Sequence, residues 1–193
     1  MVRERERAHV ESYSSAAHLL RVLSAGQVPP PLEIWGVVLR PGERALLHLP
    51  AEYARFYGGP GTYTHMNGFY WGSPVFLLAG YGLTALGNRS RRRAAEAAAA
   101  TQWREQQTVD VIATDQRLLC LANGQWLTFD FAAVTACYPE PEQHSLVFEF
   151  PDTSPLLIGG ASSPLIAAVA VWALHGQRGV NEHPALAGLR SQR

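Results

Sequence analysis

The chain of 193 residues contains no lysine: all 16 of its basic residues are arginine, and 16 acidic residues balance them. The absence of lysine excludes a Walker phosphate-binding loop, because the lysine of that loop contacts the phosphate oxygens. A net charge of zero also provides no overall field that would attract nucleic acid or an anionic membrane. Binding to either of them would need a local patch of positive charge. We expect no nucleic-acid partner.

Cysteine is scarce as well, with Cys120 and Cys137 as its two occurrences. Two cysteines are too few for a disulfide framework in a chain of this size, and each lies in a strand-like run where a buried, reduced thiol is expected. The charged N-terminal sequence MVRERERAHVESYSS has no apolar stretch behind it, which is not the pattern of a secretory signal. We expect a cytoplasmic protein.

Sequence motifs for catalysis and metal binding are missing too. The sequence has no Gly-x-Ser-x-Gly elbow, no Cys-x-x-Cys and no His-x-x-x-His, and its seven histidines are scattered. We therefore expect no catalytic residue, no cofactor and no metal. An enzyme whose site is assembled from isolated residues, such as a cysteine paired with a distant histidine, stays open as an alternative.

The one long apolar run is SPVFLLAGYGLTALG, residues 73–87. It is too short to span a membrane, which takes about 20 residues. An arginine cluster follows it directly, and three arginines in the first turn of a helix beginning near Ser90 would oppose the helix dipole. This unfavourable interaction would be relieved if the helix were continuous with the apolar run and bent near Gly87. It would also be relieved if an acidic partner neutralised the arginines. The run could pack on the domain, which we prefer, or it could lie at a membrane interface.

The pattern of helix and strand signals predicts an α+β fold. Residues 8–25 have apolar side chains at helical spacing, and a proline-rich linker follows, so residues 1–33 form an N-terminal unit. Strand-like runs begin with IWGVVL at 34–39 and resume at about 108, and between them a helical insertion occupies about 73–107. Ser163 and Pro164 mark the start of a closing apolar helix, and Gly176 marks its end. The main domain is therefore 34–176, and 177–193 is a tail.

A hairpin is predicted at Asn123-Gly124, because both residues tolerate the positive φ of a type I′ turn. The two-residue loop fixes the register, which places Arg117 opposite Asp130, an expected ion pair. It also places apolar side chains on both faces, with Trp126 on the outer one. An ordinary hairpin is wet on one face, so we expect a cover on this one. The insertion, the N-terminal helix or a second subunit could supply it.

Two short sequences carry a resemblance to a family. The step from Thr114 to Leu118, TDQRL, and the early turn Gly42-Glu43 resemble features of the bacterial pleckstrin-homology-like and GRAM-like domains. The resemblance covers about residues 34–176. It implies a small antiparallel β-barrel or sandwich closed at one end by a C-terminal helix, in domains that usually bind proteins, peptides or lipids rather than catalyse. The basic cluster of lipid-binding members has no counterpart in residues 34–57, so phosphoinositide binding is not carried over.

Three functions are compatible with these patterns. Our first hypothesis is a non-catalytic binding or scaffold module that acts by protein–protein contact, with self-association as one form. The second is a peripheral membrane-binding module that uses residues 73–93 on an anionic surface, and the third is an enzyme with an unrecognised site. The candidate contact residues for a partner or lipid are Phe76, Leu77, Leu78, Arg89, Arg91, Arg92, Arg93 and Trp126.

Overall fold

The computed structural model describes residues 2–57 and 102–192 as an α+β fold, which confirms the predicted class. The helices are α1 (Val2–Ser24), α2 (Ser163–Glu182) and α3 (Ala187–Ser191). The strands are β1 (Ala45–Tyr57), β2 (Gln102–Thr114), β3 (Arg117–Ala122), β4 (Gln125–Asp130), β5 (Ala136–Glu140), β6 (Ser145–Glu149) and β7 (Leu156–Gly159). Single 3-10 turns lie at Phe131–Ala133, Pro141–Gln143 and Pro184–Leu186.

The strands form one antiparallel sheet in the order β4-β3-β2-β1-β7-β6-β5. In the described part of the chain β4 and β5 are its two edges and do not pair with each other, so the sheet is not closed into a barrel. Aromatic side chains nevertheless connect its two halves. The rings of Phe129 and Phe150 lie 5.8 Å apart, and those of Phe131 and Phe148 lie 6.1 Å apart. The sheet therefore curls around a shared core.

The predicted hairpin register is confirmed at every position from Arg117↔Asp130 to Ala122↔Gln125. Asn123 and Gly124 form its turn with φ angles of 51° and 75°. Such positive φ angles match a type I′ turn, whose twist agrees with that of the strands on either side. The local sequence was therefore sufficient to set this part of the sheet.

Helix α2 begins at Ser163 and packs against β1, β2, β5 and β6, as expected of the closing helix. Its run from Ile166 to Val171 is fully buried. Gly176 leaves the helical conformation with φ 61° and ψ −152°, and the chain bends there. The residues beyond it are not a loose tail, because Val180, Leu186 and Leu189 are completely buried in the same core.

Helix α1 packs on α2 and α3 and contributes Ala16, Leu20 and Leu23 to the main core. It is longer than the predicted 8–25 at its N-terminal end. It docks on the domain itself. Among the described residues, no helix combines the length and the apolar character needed to cross a bilayer.

Two predicted elements differ from the structure. Residues 34–39 are not a strand but an irregular segment of bends. Strand β2 begins at Gln102, so the last residues assigned to the helical insertion are extended and pair with β1. Polar residues such as Gln106 and Gln107 are good helix formers, and here pairing with the long β1 overrides that preference. The rest of the predicted insertion lies outside the described residues.

Candidate functional site

The outer face of the sheet is covered by the chain's own residues 32–39, which we call the cover segment. Ile34, Val37 and Leu39 point down from it and pack on a small apolar cluster formed by Ala45, Ile112 and Leu119, with Trp126 beside them. This cluster is separate from the main core on the other side of the sheet. The covered outer face was predicted, but the cover segment was not among the elements expected to supply it.

The upper side of the cover segment is strongly apolar and faces solvent. Trp35 is 89% exposed and Val38 is 90% exposed, and Leu32 is also exposed. Single exposed apolar residues are normal on a protein surface, but a tryptophan with almost all of its area in water is costly unless something binds it. These three side chains form the apolar surface of the candidate site.

A buried ion pair holds the cover segment in place. The guanidinium of Arg117 donates from Nε to Glu43 Oε1 at 2.8 Å and from Nη2 to Glu43 Oε2 at 2.9 Å, and Nη2 also lies 3.1 Å from the carbonyl oxygen of Val38. The Glu43 side chain is fully buried in this contact. A bidentate pair of this kind is directional as well as strong, so it fixes the path of the chain.

The contacts of Glu43 also favour its ionised form. Burial by itself raises the pKa of this carboxyl, but hydrogen bonds from the Arg117 guanidinium and the Arg40 amide, together with the charge of Arg117, bring it below its usual value of 4.5. The amide of Arg40 lies 2.7 Å from Glu43 Oε2. The carboxylate is therefore ionised at neutral pH.

The turn that presents Arg117 is built by Thr114. The Thr114 hydroxyl accepts from the amides of Gln116 and Arg117 at 3.0 Å and 2.9 Å and donates to the Arg117 carbonyl at 3.0 Å. A hydroxyl that satisfies the backbone in this way fixes a tight connection between strands. The TDQRL step and the Gly42-Glu43 turn, which are far apart in sequence, thus meet in the folded protein.

The expected ion pair between Arg117 and Asp130 is wrong, although the two residues face each other in the register. Asp130 pairs instead with Arg40, at 2.6 Å between its Oδ1 and Arg40 Nη1. Arg44 pairs with Asp115 at 2.9 Å. Arg117 pairs with the buried Glu43 because an unpaired carboxylate costs more free energy when it is buried, as Glu43 is, than when it is partly exposed, as Asp130 is.

An open groove of about 660 Å³ runs beside these ion pairs. One wall is polar, with Arg40, Asp115 and Asp130, and the other is apolar, with Phe131 and Leu174. Because each described arginine here has its own carboxylate partner, the groove carries little net charge. It borders the end of the cover segment where Arg40 follows Leu39.

A second depression, of about 290 Å³, lies between α1 and the C-terminal end of the described chain and is lined by His9, Tyr13, Glu142, His144 and Gln192. The rings of His9 and His144 have centroids only 4.0 Å apart. Burial, and then the neighbouring His9, lower the pKa of His144 below 6.5. No group of three or more His, Cys, Asp or Glu residues in the described ranges is placed to hold a metal ion.

Both cysteines are free thiols; Cys120 is buried, as expected, and Cys137 is partly buried. Burial raises the pKa of Cys120 to about 12, in spite of the opposing charge of Arg55, and it raises the pKa of Cys137 to about 12. A thiol with so high a pKa is not a thiolate at neutral pH and is a poor nucleophile.

Of the predicted contact residues, Trp126 alone lies in the described part of the chain. It is on β4, half-buried beside the underside of the cover segment. Phe76, Leu77, Leu78, Arg89, Arg91, Arg92 and Arg93 lie outside the described residues. Trp35 and Val38 were missed because IWGVVL was assigned to a strand. The signal that could have found them is Gly36, whose φ of 85° does not fit a strand.

Comparison with known proteins returned no match: no family model fits the chain, and no curated protein or solved structure is similar to it. The fold and the site therefore define the class. Within residues 2–57 and 102–192 it is an α+β fold with an open seven-stranded antiparallel sheet, whose outer face carries an exposed apolar segment.

Proposed function

We propose that this protein is a non-catalytic binding module that acts by protein–protein contact through the upper side of the cover segment. The observation that carries this proposal is the exposure of Trp35 and Val38, at 89% and 90%. Tryptophan is among the residues that contribute most to protein interfaces, since it buries a large apolar area with little loss of side-chain freedom.

The way in which the cover segment is held supports the same role. Its ends are tied down by the Leu32 amide, which donates to the Ala45 carbonyl at 2.8 Å, and by the Arg117 contact to Val38. Ile34, Val37 and Leu39 anchor it from below. A surface that is already ordered before binding loses less conformational entropy when a partner docks.

A non-catalytic role is supported by the state of the candidate nucleophiles. Cys120 and Cys137 are the two thiols of the chain, and both have a pKa of about 12 because of burial. The described arginines and carboxylates around the larger groove are bound to one another as ion pairs. These ion pairs account for the charged groups of the groove through contacts within the protein.

We also propose that residues 34–176 are a divergent PH-like or GRAM-like domain, in a cytoplasmic protein. The support is the chain order: a hairpin series of strands, then three more strands, then one apolar helix packed on the sheet. A second support is that Glu43 of the early turn pairs with Arg117 of the TDQRL step.

The peripheral membrane function is our second candidate, since an exposed tryptophan and valine would also suit a lipid interface. The charges around the cover segment favour protein contact instead. Arg40 and Arg44 are neutralised by Asp130 and Asp115, so these arginines add no net positive charge that would attract anionic lipid. The candidate residues in 73–93 would have to supply that charge.

The test compares the wild type with the double variant Trp35→Ser/Val38→Ser. We expect the wild type to form complexes, with itself or with a protein retained from its native cells. In the double variant we expect the dissociation constant of these complexes to rise about tenfold, which corresponds to a loss of about 1.4 kcal/mol of binding free energy. Sedimentation velocity and quantitative pull-down measure the two cases.

The matched control is Val10→Ser, which removes another apolar side chain, 68% exposed on α1. It should leave every complex intact. Flotation of the wild type with vesicles containing anionic lipid, together with loss of flotation in the double variant, would instead support the membrane function. A wild type that binds neither protein nor vesicles would overturn the proposal.

A further inference from the structure

The two edges of the sheet differ in their protection against further pairing. Edge strand β5 contains Pro139, which has no amide hydrogen to donate, and the turn Pro184–Leu186 packs against it. Among the described strands, edge strand β4 pairs with β3 alone; it has neither proline nor glycine, and its six residues are in unbroken register. Proteins usually protect an edge strand with proline, charge, a bulge or a covering element. β4 has no proline and no bulge, and Asp130 is its one charged residue.

The hairpin geometry identifies the backbone groups on this edge. In a two-residue hairpin the positions next to the turn exchange hydrogen bonds, and the pairs then alternate between bonded and non-bonded. Ala122–Gln125 and Cys120–Leu127 are therefore bonded pairs, with register as observed. The amide and carbonyl groups of Trp126 and Thr128 then point away from β3. Thr128 is exposed at the middle of this edge.

We propose that β4 pairs antiparallel with β4 of a second copy of this chain, around a two-fold axis at Thr128. This inference rests on the proposed function and names its partner. The pairing would join the two sheets through backbone hydrogen bonds, the mode known as strand addition. An isologous interface of this kind needs a strand that is complementary to itself.

β4 meets that requirement. Centring on Thr128 places the two Thr128 side chains opposite each other on the outer face, and it places Leu127 opposite the partner's Phe129 on the inner face. Threonine pairs and apolar pairs across strands are favourable, whereas like charges directly opposite are not. The one ionisable residue of β4 is Asp130, which would face the partner's Trp126 and is already neutralised by Arg40 of its own chain.

The edge is also continuous with the cover segment. Trp126 packs on the same apolar cluster as Ile34 and Val37, and Asp130 is bound to Arg40 immediately after the segment ends. A second copy that pairs with β4 would therefore lie next to the exposed apolar surface. The backbone pairing would supply orientation, and the apolar side chains would add buried area.

The experiment measures self-association by sedimentation velocity for the wild type, Thr128→Lys and the matched control Thr108→Lys. Thr108 is also an exposed threonine, but it lies on the interior strand β2 and is paired with Glu52 of β1. We expect a dimer whose dissociation constant rises at least about tenfold in Thr128→Lys, since a lysine on an edge opposes pairing, and is unchanged in Thr108→Lys.

Amide hydrogen exchange on the wild type provides a second measurement that needs no substitution. The amides of Trp126 and Thr128 should exchange several-fold more slowly when the protein is concentrated enough to dimerise than when it is dilute, whereas that of Thr108 should not change. Equal weakening of the dimer by both lysine variants, or unchanged exchange at Trp126 and Thr128, would overturn the inference.

Failure of this inference is distinguishable from failure of the proposed function. A monomeric wild type that still retains another protein through Trp35 and Val38 would overturn β4 pairing and leave the proposed function standing. The same holds for a dimer that Trp35→Ser/Val38→Ser abolishes and Thr128→Lys does not. Weaker dimerisation of Thr128→Lys, together with slower amide exchange at Trp126 in the concentrated wild type, would support the inference.

Discussion

Glu43 and Arg117 form the buried charged contact that positions the cover segment. Removing one member of such a pair leaves the other charge buried without a partner, which costs about 3–5 kcal/mol. We expect Glu43→Ala to lower the free energy of unfolding by that amount, measured by urea denaturation. Replacing both members, as in Glu43→Leu/Arg117→Met, should cost less than the single change, because no unpaired charge remains.

The control for this prediction is Arg44→Ala, which breaks the pair with Asp115 near the protein surface, where the Arg44 side chain is 45% exposed. Exposed pairs contribute about 0–1 kcal/mol, so we expect a small effect. Equal losses in Glu43→Ala and Arg44→Ala would contradict the special role assigned to Glu43.

Two histidines make stability depend on pH. Burial, followed by neighbouring positive charge, lowers the pKa of both His144 and His183 below 6.5 in the folded protein. The unfolded chain then binds more protons than the folded one as the pH falls through about 6.5, so the free energy of unfolding decreases. Their contribution is complete above that pH and is lost as the pH falls through the lowered pKa values.

The urea concentration at the unfolding midpoint should therefore decrease as the pH is lowered from about 7.5 to about 5. His144→Gln and His183→Gln should each flatten this dependence in part. Ser14→Ala, which changes an exposed residue of α1 that carries no titratable group, is the control and should leave the slope as it is. A steeper slope in His144→Gln would show that the direction of the shift is wrong.

At the scale of elements, the hairpin at Asn123-Gly124 depends on backbone conformation alone. Gly124 has a φ of 75°, and a Cβ added there would meet nothing within 4 Å. Gly124→Ala should therefore lower stability by about 1–2 kcal/mol, the cost of a left-handed conformation for a residue with a Cβ. Thermal or urea unfolding measures it, and a loss near zero would mean that the turn changes type.

Elements that depend on local signals could be predicted from the sequence, and those that depend on distant contacts could not. The hairpin register follows from Asn123-Gly124 alone. Residues 34–39 have the composition of a strand, yet they pair with no described strand and instead pack on the apolar cluster of Ala45, Ile112 and Leu119. The start of β2 was missed for a similar reason, since its partner residues 53–57 lie far away in sequence.

The candidate site could be predicted from the sequence even less completely than the fold. That the outer face of the hairpin is covered could be inferred from Leu119 and Trp126, but the identity of the cover could not. Arg117 was assigned to Asp130 because the register places them opposite, and register says nothing about Glu43, which approaches from 74 residues earlier. Long-range electrostatics decides that choice.

At the scale of the whole molecule, α1, the sheet and the C-terminal helices share one core. Leu23 of α1, Phe148 of β6 and Leu189 of α3 all belong to it and are almost completely buried. We expect Leu23→Ala to lower the free energy of unfolding by about 2–5 kcal/mol, as for other large-to-small changes in a core. The transition should shift as a single step in both far-UV circular dichroism and tryptophan fluorescence.

Val10→Ala, on the exposed side of the same helix, is the control for Leu23→Ala and should have little effect. A separate early transition for α1, with the sheet unfolding at the wild-type midpoint, would show that the helix is an independent appendage rather than part of the domain.

The position of Trp35 gives the protein an optical reporter of its own. An indole that is 89% exposed emits at long wavelength and is open to collision with a dissolved quencher such as acrylamide. The indole of Trp126 is partly shielded beneath the cover segment. Whatever docks on this surface should therefore blue-shift the emission of Trp35 and slow its quenching, and because the chain has five tryptophans, the same measurement on Trp35→Phe identifies the share of Trp35.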